Sequence, residues 1–287
     1  MIDLALTDEQ ESFARSAAAV VERHGAVRAL EAPIELWQAL AELGVLGLCA
    51  PTMGGDALDL VVAMEALGSR TCPGPLVAAA AASLVLDGDE LDAIVTGRRR
   101  ATLVGGGLVP WPIDATVWIE LTRSGAWLVE SDDVALVATL SGESWGRADV
   151  RRVRRLGESE RAIVLAELAN AAYLVGAGLD VVAQAAEHAR SRVQFERPIG
   201  DFQAVAHPLA RSHAELRATL ELVRLSARRA VTAREARSIR AVAARASCTA
   251  GDRAHQVFGA VGFATETGVA TTTARIRQWA VLPIGED

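Results

Sequence analysis

Residues 191–205 bring together side chains that suit the binding of a phosphate group. Arg192, Gln194 and Phe195 place a guanidinium, an amide and an aromatic ring close together, and a Pro-Ile-Gly turn follows them. A guanidinium fork binds phosphate oxygens in a planar, bidentate manner. The sequence on both sides has the period of a long helix. The segment therefore predicts a ligand-binding turn between two helices, with a plain interhelical turn as the alternative.

The cysteines and histidines do not have the spacing of a metal site or a catalytic cluster. Cys49, Cys72 and Cys248 lie far apart, which predicts reduced packing residues rather than a zinc site or a disulfide framework. Histidines scattered singly over helices are usually packing or surface groups. Those on the predicted C-terminal helices are His188, His207, His213 and His255. We expect no bound metal.

Composition and charge exclude several classes of protein. The chain of 287 residues has a formal net charge of −7, and all its basic side chains other than histidine are arginines, so it lacks the basic balance of a nucleic-acid binder. The N-terminus lacks the basic and apolar regions of a signal peptide. The longest apolar run, residues 76–86, is too short to span a bilayer. We expect a cytoplasmic protein that binds neither nucleic acid nor membranes.

Residues 1–98 predict a helical domain, and residues 99–156 predict a small β-domain. Thr7 and Gln10 have the spacing of a capping box, so a helix is expected to start there. The middle segment consists of short runs rich in Val, Ile, Trp and Thr, separated by Gly, Asp and Ser. Only about four or five strands fit this length, which excludes a full barrel or sandwich.

Residues 157–287 predict a helix bundle, which makes the fold class mainly α with a small central β-domain. A third helix of this bundle is expected over residues 238–258. An apolar seam repeats every seven residues, as in a helix packed in a bundle. The seam consists of Leu209, Leu216, Val223 and Ala230, with His213, Leu220 and Ala227 beside it. We expect the chain to oligomerise through this bundle.

The order of these segments, together with three motifs, resembles the acyl-CoA dehydrogenase family nearly end to end. "LAELGVLGLCAPTMGGDAL" is similar to the family's N-terminal motif, "SRVQFERPIGDFQAVAHPLA" to its most specific signature, and "AHQVFGAVGFATE" to a C-terminal signature. The resemblance implies α,β-desaturation of an acyl-CoA thioester. In that reaction a carboxylate removes the α-proton, and FAD accepts the β-hydrogen as hydride.

The resemblance also implies which residues hold FAD. In the family, the signature arginine, the residue two positions later and the next aromatic reach the pyrophosphate and adenosine of an FAD bound mainly by a neighbouring subunit. Here these residues are Arg192, Gln194 and Phe195. The other positions that the resemblance assigns to the cofactor are Ile199, Phe202, Gln256, Gly259 and Ala260.

Two of these motif positions depart from the family's pattern. Glu196 stands where the family has a glycine after the aromatic residue, and Ala260 stands for the second glycine of a pair. A carboxylate opposes an anionic ligand, and a methyl group hinders close backbone approach. Arg197 is placed to neutralise Glu196.

The catalytic base of the family has no counterpart at either of its usual positions. One position falls in the C-terminal segment, where Glu286 has no predicted helix after it. The other falls at Ala166, and the neighbouring Glu167 is turned about 100° around the helix. We expect Glu167 to be an exposed helical residue, and it is the one weak candidate for the base.

The middle segment also lacks the family's motifs that face the flavin ring and the thioester. A shortened sheet, a missing base and a partial FAD clamp are similar to the heteromeric acyl-CoA dehydrogenases of sterol side-chain degradation, in which two related chains form an α2β2 tetramer. This similarity implies a subunit that is inactive alone and shares FAD with a homologous partner. The alternatives are a non-enzymatic scaffold on the same fold and a self-sufficient homo-oligomeric dehydrogenase that uses Glu167. The sequence does not specify the acyl group.

Overall fold

The computed structural model describes residues 5–264 and 267–285, and the helical start predicted at Thr7 is confirmed. The Thr7 hydroxyl accepts from the backbone N–H of Gln10, whose side chain accepts in turn from the backbone N–H of Thr7. This reciprocal cap satisfies two N–H groups that an open helix end would leave unpaired. The first five helices are α1 (Asp8–Arg23), α2 (Ile34–Glu42), α3 (Ala57–Ser69), α4 (Leu76–Val85) and α5 (Gly88–Val95).

The middle of the chain forms two small sheets, where we had expected one sheet of about four or five strands. The larger sheet has the order β1-β3-β4-β7, and the smaller has the order β2-β6-β5. Only the β1–β3 pair is parallel among the described pairs. The strands are β1 (Ala101–Val104), β2 (Leu108–Pro110), β3 (Val117–Thr122), β4 (Gly125–Glu130), β5 (Ala135–Val137), β6 (Trp145–Arg147) and β7 (Arg151–Gly157).

The strand pattern missed β7 because its arginines look like a charged loop. β7 is an edge strand, and its side chains are mostly exposed. Carboxylates that precede β7 in the chain form ion pairs with its arginines. The Arg152 Nε, for example, lies 2.6 Å from the Glu120 carboxylate. The Arg152 guanidinium also lies 5.1 Å from the centre of the Trp127 ring. Charge pairing therefore supports a strand that lacks the usual alternation of apolar residues.

Three long helices and one shorter helix follow the sheets in the described residues, and the mainly α fold class with a small β region is confirmed. They are α6 (Glu160–Ser191), α7 (Gln203–Ala227), α8 (Ala233–Phe258) and α9 (Val269–Trp279). α6 is long and apolar enough to cross a membrane, but most of its residues are buried under the rest of the protein. It is therefore the central helix of the core. The domain boundaries at residues 98 and 156 stay predictions.

Helices α6 and α8 run in the same direction, so their C-terminal ends lie together. The Ser247 hydroxyl of α8 donates to the Leu174 carbonyl of α6 at 2.8 Å. Farther along both helices, the rings of His188 and Phe258 stack with their centres 4.3 Å apart. This parallel arrangement brings the segments after α6 and α8 to one end of the bundle.

Most of the seven-residue seam faces the chain's own core, so the seam does not by itself indicate oligomer contacts, and oligomerisation through the bundle stays a prediction. Leu209, Leu216 and Val223 are buried inside the chain, as is Leu220 beside them. Ala230 is exposed and lies beyond the end of α7. The heptad pattern reports helix packing, and packing within one chain produces the same pattern as packing between chains.

Candidate functional site

The predicted ligand-binding segment folds into a tight β-hairpin directly after α6. Strands β8 (Val193–Gln194) and β9 (Arg197–Pro198) pair, and two residues, Phe195 and Glu196, form the turn. Both have positive φ angles, of 52° and 66°. Such a turn normally carries glycine or asparagine, because other residues strain in the left-handed region. The hairpin is therefore a strained and well-defined structure between two helices.

Arg192 and Gln194, the polar residues of this segment that were predicted to bind the cofactor, lie on the exposed face of this hairpin. The Arg192 backbone caps α6 through the His188 carbonyl, and its own carbonyl accepts from the Ile199 N–H at 2.8 Å. Among the described residues no hydrogen bond or ion pair engages its guanidinium. The Gln194 amide nitrogen donates to the Val193 carbonyl at 2.8 Å. Arg192 can therefore bind an external anion directly, and the Gln194 amide keeps a second N–H to donate while it holds its backbone partner.

The two aromatic residues of the segment, Phe195 and Phe202, pack against each other. The ring of Phe195 is 86% exposed and meets the Phe202 ring edge to face, with centres 6.1 Å apart. The Arg197 guanidinium lies 4.1 Å from the centre of the Phe202 ring. Ile199 is half-buried against the core, in the turn that leads to α7. Arg197 is thus held by a ring next to Glu196, and Phe195 presents a bare aromatic face to solvent.

The second predicted motif lies at the same end of the bundle, because α6 and α8 are parallel. Gln256 is exposed on the last turn of α8, and Gly259 and Ala260 follow it at the surface. Gly259 has a φ of +62°, and the space beside its Cα is open. The stacked His188 and Phe258 rings join the two motif segments. The structure thus gathers the predicted cofactor residues at one exposed end.

This set of donors fits the FAD pyrophosphate that the resemblance implies. Arg192 supplies an unengaged guanidinium, and the amides of Gln194 and Gln256 supply further donors. The Glu196 carboxylate on the same turn repels the negative charge of the ligand. The Ala260 methyl group hinders close approach of the ligand to the backbone after α8. The charge-assisted contact of Arg192 is the strongest of these interactions, since hydrogen bonds to charged groups are roughly twice as strong as neutral ones.

Glu167 is fully buried between α6 and α8, so the expectation of an exposed residue was wrong. Its carboxylate forms an ion pair with Arg240 and lies 3.6 Å from Arg237. Burial raises the pKa of Glu167 to about 7, although both guanidinium groups act in the opposite direction. The expectation failed because α6 is surrounded by other elements here and has no exposed side. Glu167 joins two helices within the core.

Of the two family base positions, only the one at Ala166 lies within the described residues, and it carries no carboxylate. Ala166, where the family comparison places a glutamate, is fully buried beside Glu167. Glu286 lies outside the described residues. Within residues 5–264 and 267–285, no group of three or more His, Cys, Asp or Glu residues could hold a metal ion.

Four aromatic rings fill the junction between the N-terminal helices, the sheets and the C-terminal helices. Tyr173 of α6 stacks on Trp279 of α9, with ring centres 3.8 Å apart, and its hydroxyl donates to the Cys72 carbonyl. Trp111 meets the Trp279 ring edge-on and also contacts Trp145 of β6. All four rings are buried. The segments therefore meet in a closed aromatic cluster.

A buried ion pair beside this cluster is a feature that our sequence reasoning did not identify. Glu143 lies 3.1 Å from the Arg275 Nε, and its carboxylate accepts from the Trp279 indole N–H at 3.1 Å. Arg275 also donates to the backbone carbonyls of Ala29 and Thr71. Burial raises the pKa of Glu143, while Arg275 acts to lower it. The spacing of Arg275 and Trp279, one helical turn apart, was the available signal.

The cysteines are free, as predicted. Burial raises the pKa of Cys72 and of Cys49 to about 12. Thiols with raised pKa values are poor nucleophiles, because the thiolate is the reactive form. We assign them no role in the site.

Comparison with known proteins identifies two matching family models. The acyl-CoA dehydrogenase N-terminal domain matches residues 7–89, and the acyl-CoA dehydrogenase C-terminal domain matches residues 160–285. The residues between these matches include the two small sheets. Acyl-CoA dehydrogenase IpdE2 of Mycobacterium tuberculosis is 27% identical over 293 aligned positions, which cover 90% of this chain and 88% of the relative.

Solved structures share the whole fold. The Tcur3481-Tcur3483 steroid ACAD superposes with a TM-score of 0.81 and 22% identity, covering 97% of this chain and 94% of that chain. The ChsE4-ChsE5 complex from Mycobacterium tuberculosis superposes with a TM-score of 0.73 and 23% identity, with the same two coverages. At these identities the superpositions establish the fold.

Proposed function

This chain belongs to the acyl-CoA dehydrogenase family, and we propose that it is a subunit of an FAD-dependent, hetero-oligomeric member that lacks a catalytic base of its own. In this proposal a homologous partner chain supplies the base and holds the flavin ring. This chain contributes oligomer contacts and part of the FAD clamp.

The observation that carries the proposal is the position of Glu167. A general base must come within hydrogen-bonding reach of the proton that it removes. Glu167 is instead enclosed between α6 and α8 and paired with Arg240. Moving it to a substrate would leave two arginines without their buried carboxylate, which costs several kcal/mol. This argues against the self-sufficient dehydrogenase with Glu167 as its base.

The closed junction supports the same proposal. Tyr173, Trp279 and the Glu143–Arg275 pair occupy the space where the three segments of this chain meet. A planar ring and a thioester need an opening between elements, and the aromatic cluster itself leaves none, although a cavity of about 600 Å³ lies beside it between the β5–β6 loop, α8 and α9. With Glu167 buried away from any opening, we assign the reacting atoms to the partner chain.

FAD, when bound, supplies the hydride acceptor for the desaturation. This chain's own part is to hold the cofactor: Arg192 neutralises phosphate charge, and Gln194 and Gln256 offer amide donors to the polar edge of the ligand. Phe195 covers apolar or aromatic surface and excludes water there. None of these residues moves a proton in the reaction.

The named relatives support the substrate class and the assembly. One similar structure is a steroid ACAD and another is a complex of two named chains. We propose an acyl-CoA substrate, with a sterol side-chain CoA ester as the leading class, and an α2β2 assembly in the cytoplasm.

The non-enzymatic scaffold remains a second candidate because of Glu196 and Ala260. Both substitutions oppose the binding of a dianionic cofactor at the clamp. If they abolish binding, the chain serves its partner only as a structural subunit.

Turnover by purified proteins tests the proposal. The chain alone and its complex with a co-expressed acyl-CoA dehydrogenase chain of the same genome are assayed with acyl-CoA esters and an artificial electron acceptor. We expect activity in the complex and none in the chain alone, and Glu167→Gln in this chain should leave the activity of the folded complex unchanged. Activity of the single chain that is lost on Glu167→Gln would contradict the proposal and identify Glu167 as the base.

A further inference from the structure

His188 lies where the two predicted cofactor motifs meet. It belongs to the last turn of α6, and the backbone N–H of Arg192 donates to its carbonyl at 2.9 Å. Side chains four positions apart on a helix lie on the same face, with Cβ atoms about 5–6 Å apart. On its other side the imidazole stacks on Phe258, the last residue of α8, with ring centres 4.3 Å apart. The imidazole therefore lies between the Arg192 side chain and the motif at Gln256 and Gly259.

The ring nitrogens of His188 are open to a ligand. Among the described residues its hydrogen bonds involve the backbone, whose carbonyl accepts from Arg192 and from the Ser191 hydroxyl. His255, which also stacks on a phenylalanine at this end, differs because its Nε2 lies 2.7 Å from the Thr273 hydroxyl. The half-buried His188 ring thus packs by its face and keeps its polar edge unengaged.

His188 is neutral near pH 7 when no anion is present. Burial and the nearby Arg192 guanidinium both lower its pKa below its usual range. The other charged or titratable residues of the surrounding segments are Glu187 and Arg190 on α6, Glu196 and Arg197 on the hairpin, Asp201 before α7, and Asp252, Arg253 and His255 on α8. Within the described residues, Arg192 is the one charged group that shifts the pKa of His188.

A diphosphate at Arg192 reverses this electrostatic environment. Its two negative charges offset the repulsion from the guanidinium, and a nearby opposite charge favours the protonated form of an imidazole. The protonated ring then donates from both nitrogens, whereas the neutral ring donates from only one. Hydrogen bonds between a charged donor and a phosphate oxygen are roughly twice as strong as neutral ones. Proton uptake and anion binding at this position therefore support each other.

We propose that His188 is a second phosphate-binding residue, which takes up a proton from solvent when the FAD pyrophosphate binds beside Arg192. This inference rests on the proposed function and adds to it a dependence of cofactor retention on pH. The bound state holds the proton more tightly than the free state does. FAD binding therefore strengthens as the pH falls, and the gain is lost as the pH rises through the pKa of His188 in the bound state.

The dissociation of FAD from the purified complex tests the inference over about pH 5.5 to pH 8.5, where carboxylates and arginines do not normally titrate. Flavin fluorescence released on dilution measures the dissociation constant. We expect the wild-type complex to bind FAD about tenfold more tightly at the lower limit than at the upper, as one pKa unit of difference between the free and bound states requires.

Two substitutions separate the charge of His188 from its packing. His188→Phe keeps a ring that can stack on Phe258 but cannot take up a proton. Its affinity for FAD should stay near the high-pH value of the wild type throughout. His188→Arg carries a permanent charge and can also stack on an aromatic ring, so it should bind FAD tightly over the whole range. Circular dichroism confirms that each variant folds.

His24→Gln, at a histidine that caps α1 in the N-terminal segment, is the matched control and should keep the wild-type pH profile. A wild-type profile in His188→Phe would overturn the inference, because the ring would then only pack. Binding by His188→Arg no tighter than that of His188→Phe would also overturn it. A profile that is flat in His255→Gln and normal in His188→Phe would assign the proton to His255 instead. Each of these results leaves the proposed function intact, whereas a complex without flavin at any pH contradicts the proposed function itself.

Discussion

Glu196 combines a costly backbone conformation with a charge beside the proposed phosphate site. Its φ of +66° lies in the left-handed region, where a side chain costs about 1–2 kcal/mol. Phe195 before it also has a positive φ angle, with the same steric cost. Glycine at position 196 would remove both the strain and the negative charge.

We predict that Glu196→Gly stabilises the chain by about 1 kcal/mol, measured by urea unfolding. Glycine adopts the turn without steric cost, although it loses more entropy on folding. Glu196→Ala is the matched control, since it removes the carboxylate and keeps the strain, and its stability should stay near that of the wild type. Equal stability of all three proteins would show that the turn carries no strain.

Glu167 should make the stability of the chain depend on pH. Folding raises its pKa from about 4.5 to about 7, so the native state holds its proton more tightly than the unfolded state does. Between these two values the native state binds more protons, and the free energy of unfolding falls as pH rises. The contribution is on the order of 3 kcal/mol.

We therefore predict a flatter pH dependence for Glu167→Gln. The free energy of unfolding of the wild type, relative to the variant, should decrease by about 3 kcal/mol between pH 5 and pH 8. Glu187→Gln, at an exposed carboxylate of the same helix, should follow the wild type. Parallel curves for the wild type and Glu167→Gln would mean that burial does not shift this pKa.

At the scale of elements, the sequence predicts helices better than strands or the environment of single residues. The capping box at Thr7 and the apolar periodicity of the helices involve residues only a few positions apart, so a single sequence shows them. β7 needs carboxylates from earlier in the chain to accept its arginines, and a local pattern cannot contain them.

The candidate site shows the same division between local and distant causes. Arg192 and Gln256 were singled out from the family resemblance, and their position at one end of the bundle follows from the parallel packing of α6 and α8. Glu167 was misjudged because its burial depends on α8, whose Arg240 lies 73 positions farther along the chain. Long-range contacts of this kind leave no trace in the spacing of neighbouring residues.

The backbones of α3 and α6 approach each other closely at Gly176. A Cβ atom on Gly176 would lie 2.1 Å from the Glu65 carbonyl oxygen, whereas one on Gly178 would meet the end of the Leu216 side chain at 2.9 Å. Backbone cannot move aside as a side chain can. Gly176→Ala should lower stability by about 3 kcal/mol or more, and Gly178→Ala by clearly less. Thermal unfolding of the pair measures this, and equal losses would contradict the close approach of the two backbones.

For the whole molecule, the Glu143–Arg275 pair links segments that are distant in sequence. Arg275 on α9 contacts the Ala29 and Thr71 carbonyls near the N-terminal helices, and Glu143 holds the loop between β5 and β6. The pair thus keeps the junction of the three segments closed.

We predict that Glu143→Gln lowers the free energy of unfolding by about 3–5 kcal/mol, because Arg275 then remains buried without its counter-charge. The double variant Glu143→Gln/Arg275→Met should recover part of this loss, since no uncompensated charge remains. Denaturant unfolding of the three proteins measures both effects. A double variant less stable than Glu143→Gln would show that Arg275 stabilises the junction mainly through its backbone contacts.

The flavin content of the purified complex tests most directly whether this chain shares FAD with a partner. We predict flavin absorbance in the complex and none in the chain alone. Arg192→Ala should weaken the binding of FAD by the complex by roughly tenfold or more. Gln194→Ala should lose less, and Glu196→Gly should bind FAD more tightly. Equal flavin content in the wild-type, Arg192→Ala and Glu196→Gly complexes would show that the hairpin does not contact FAD and is only a turn that joins two helices.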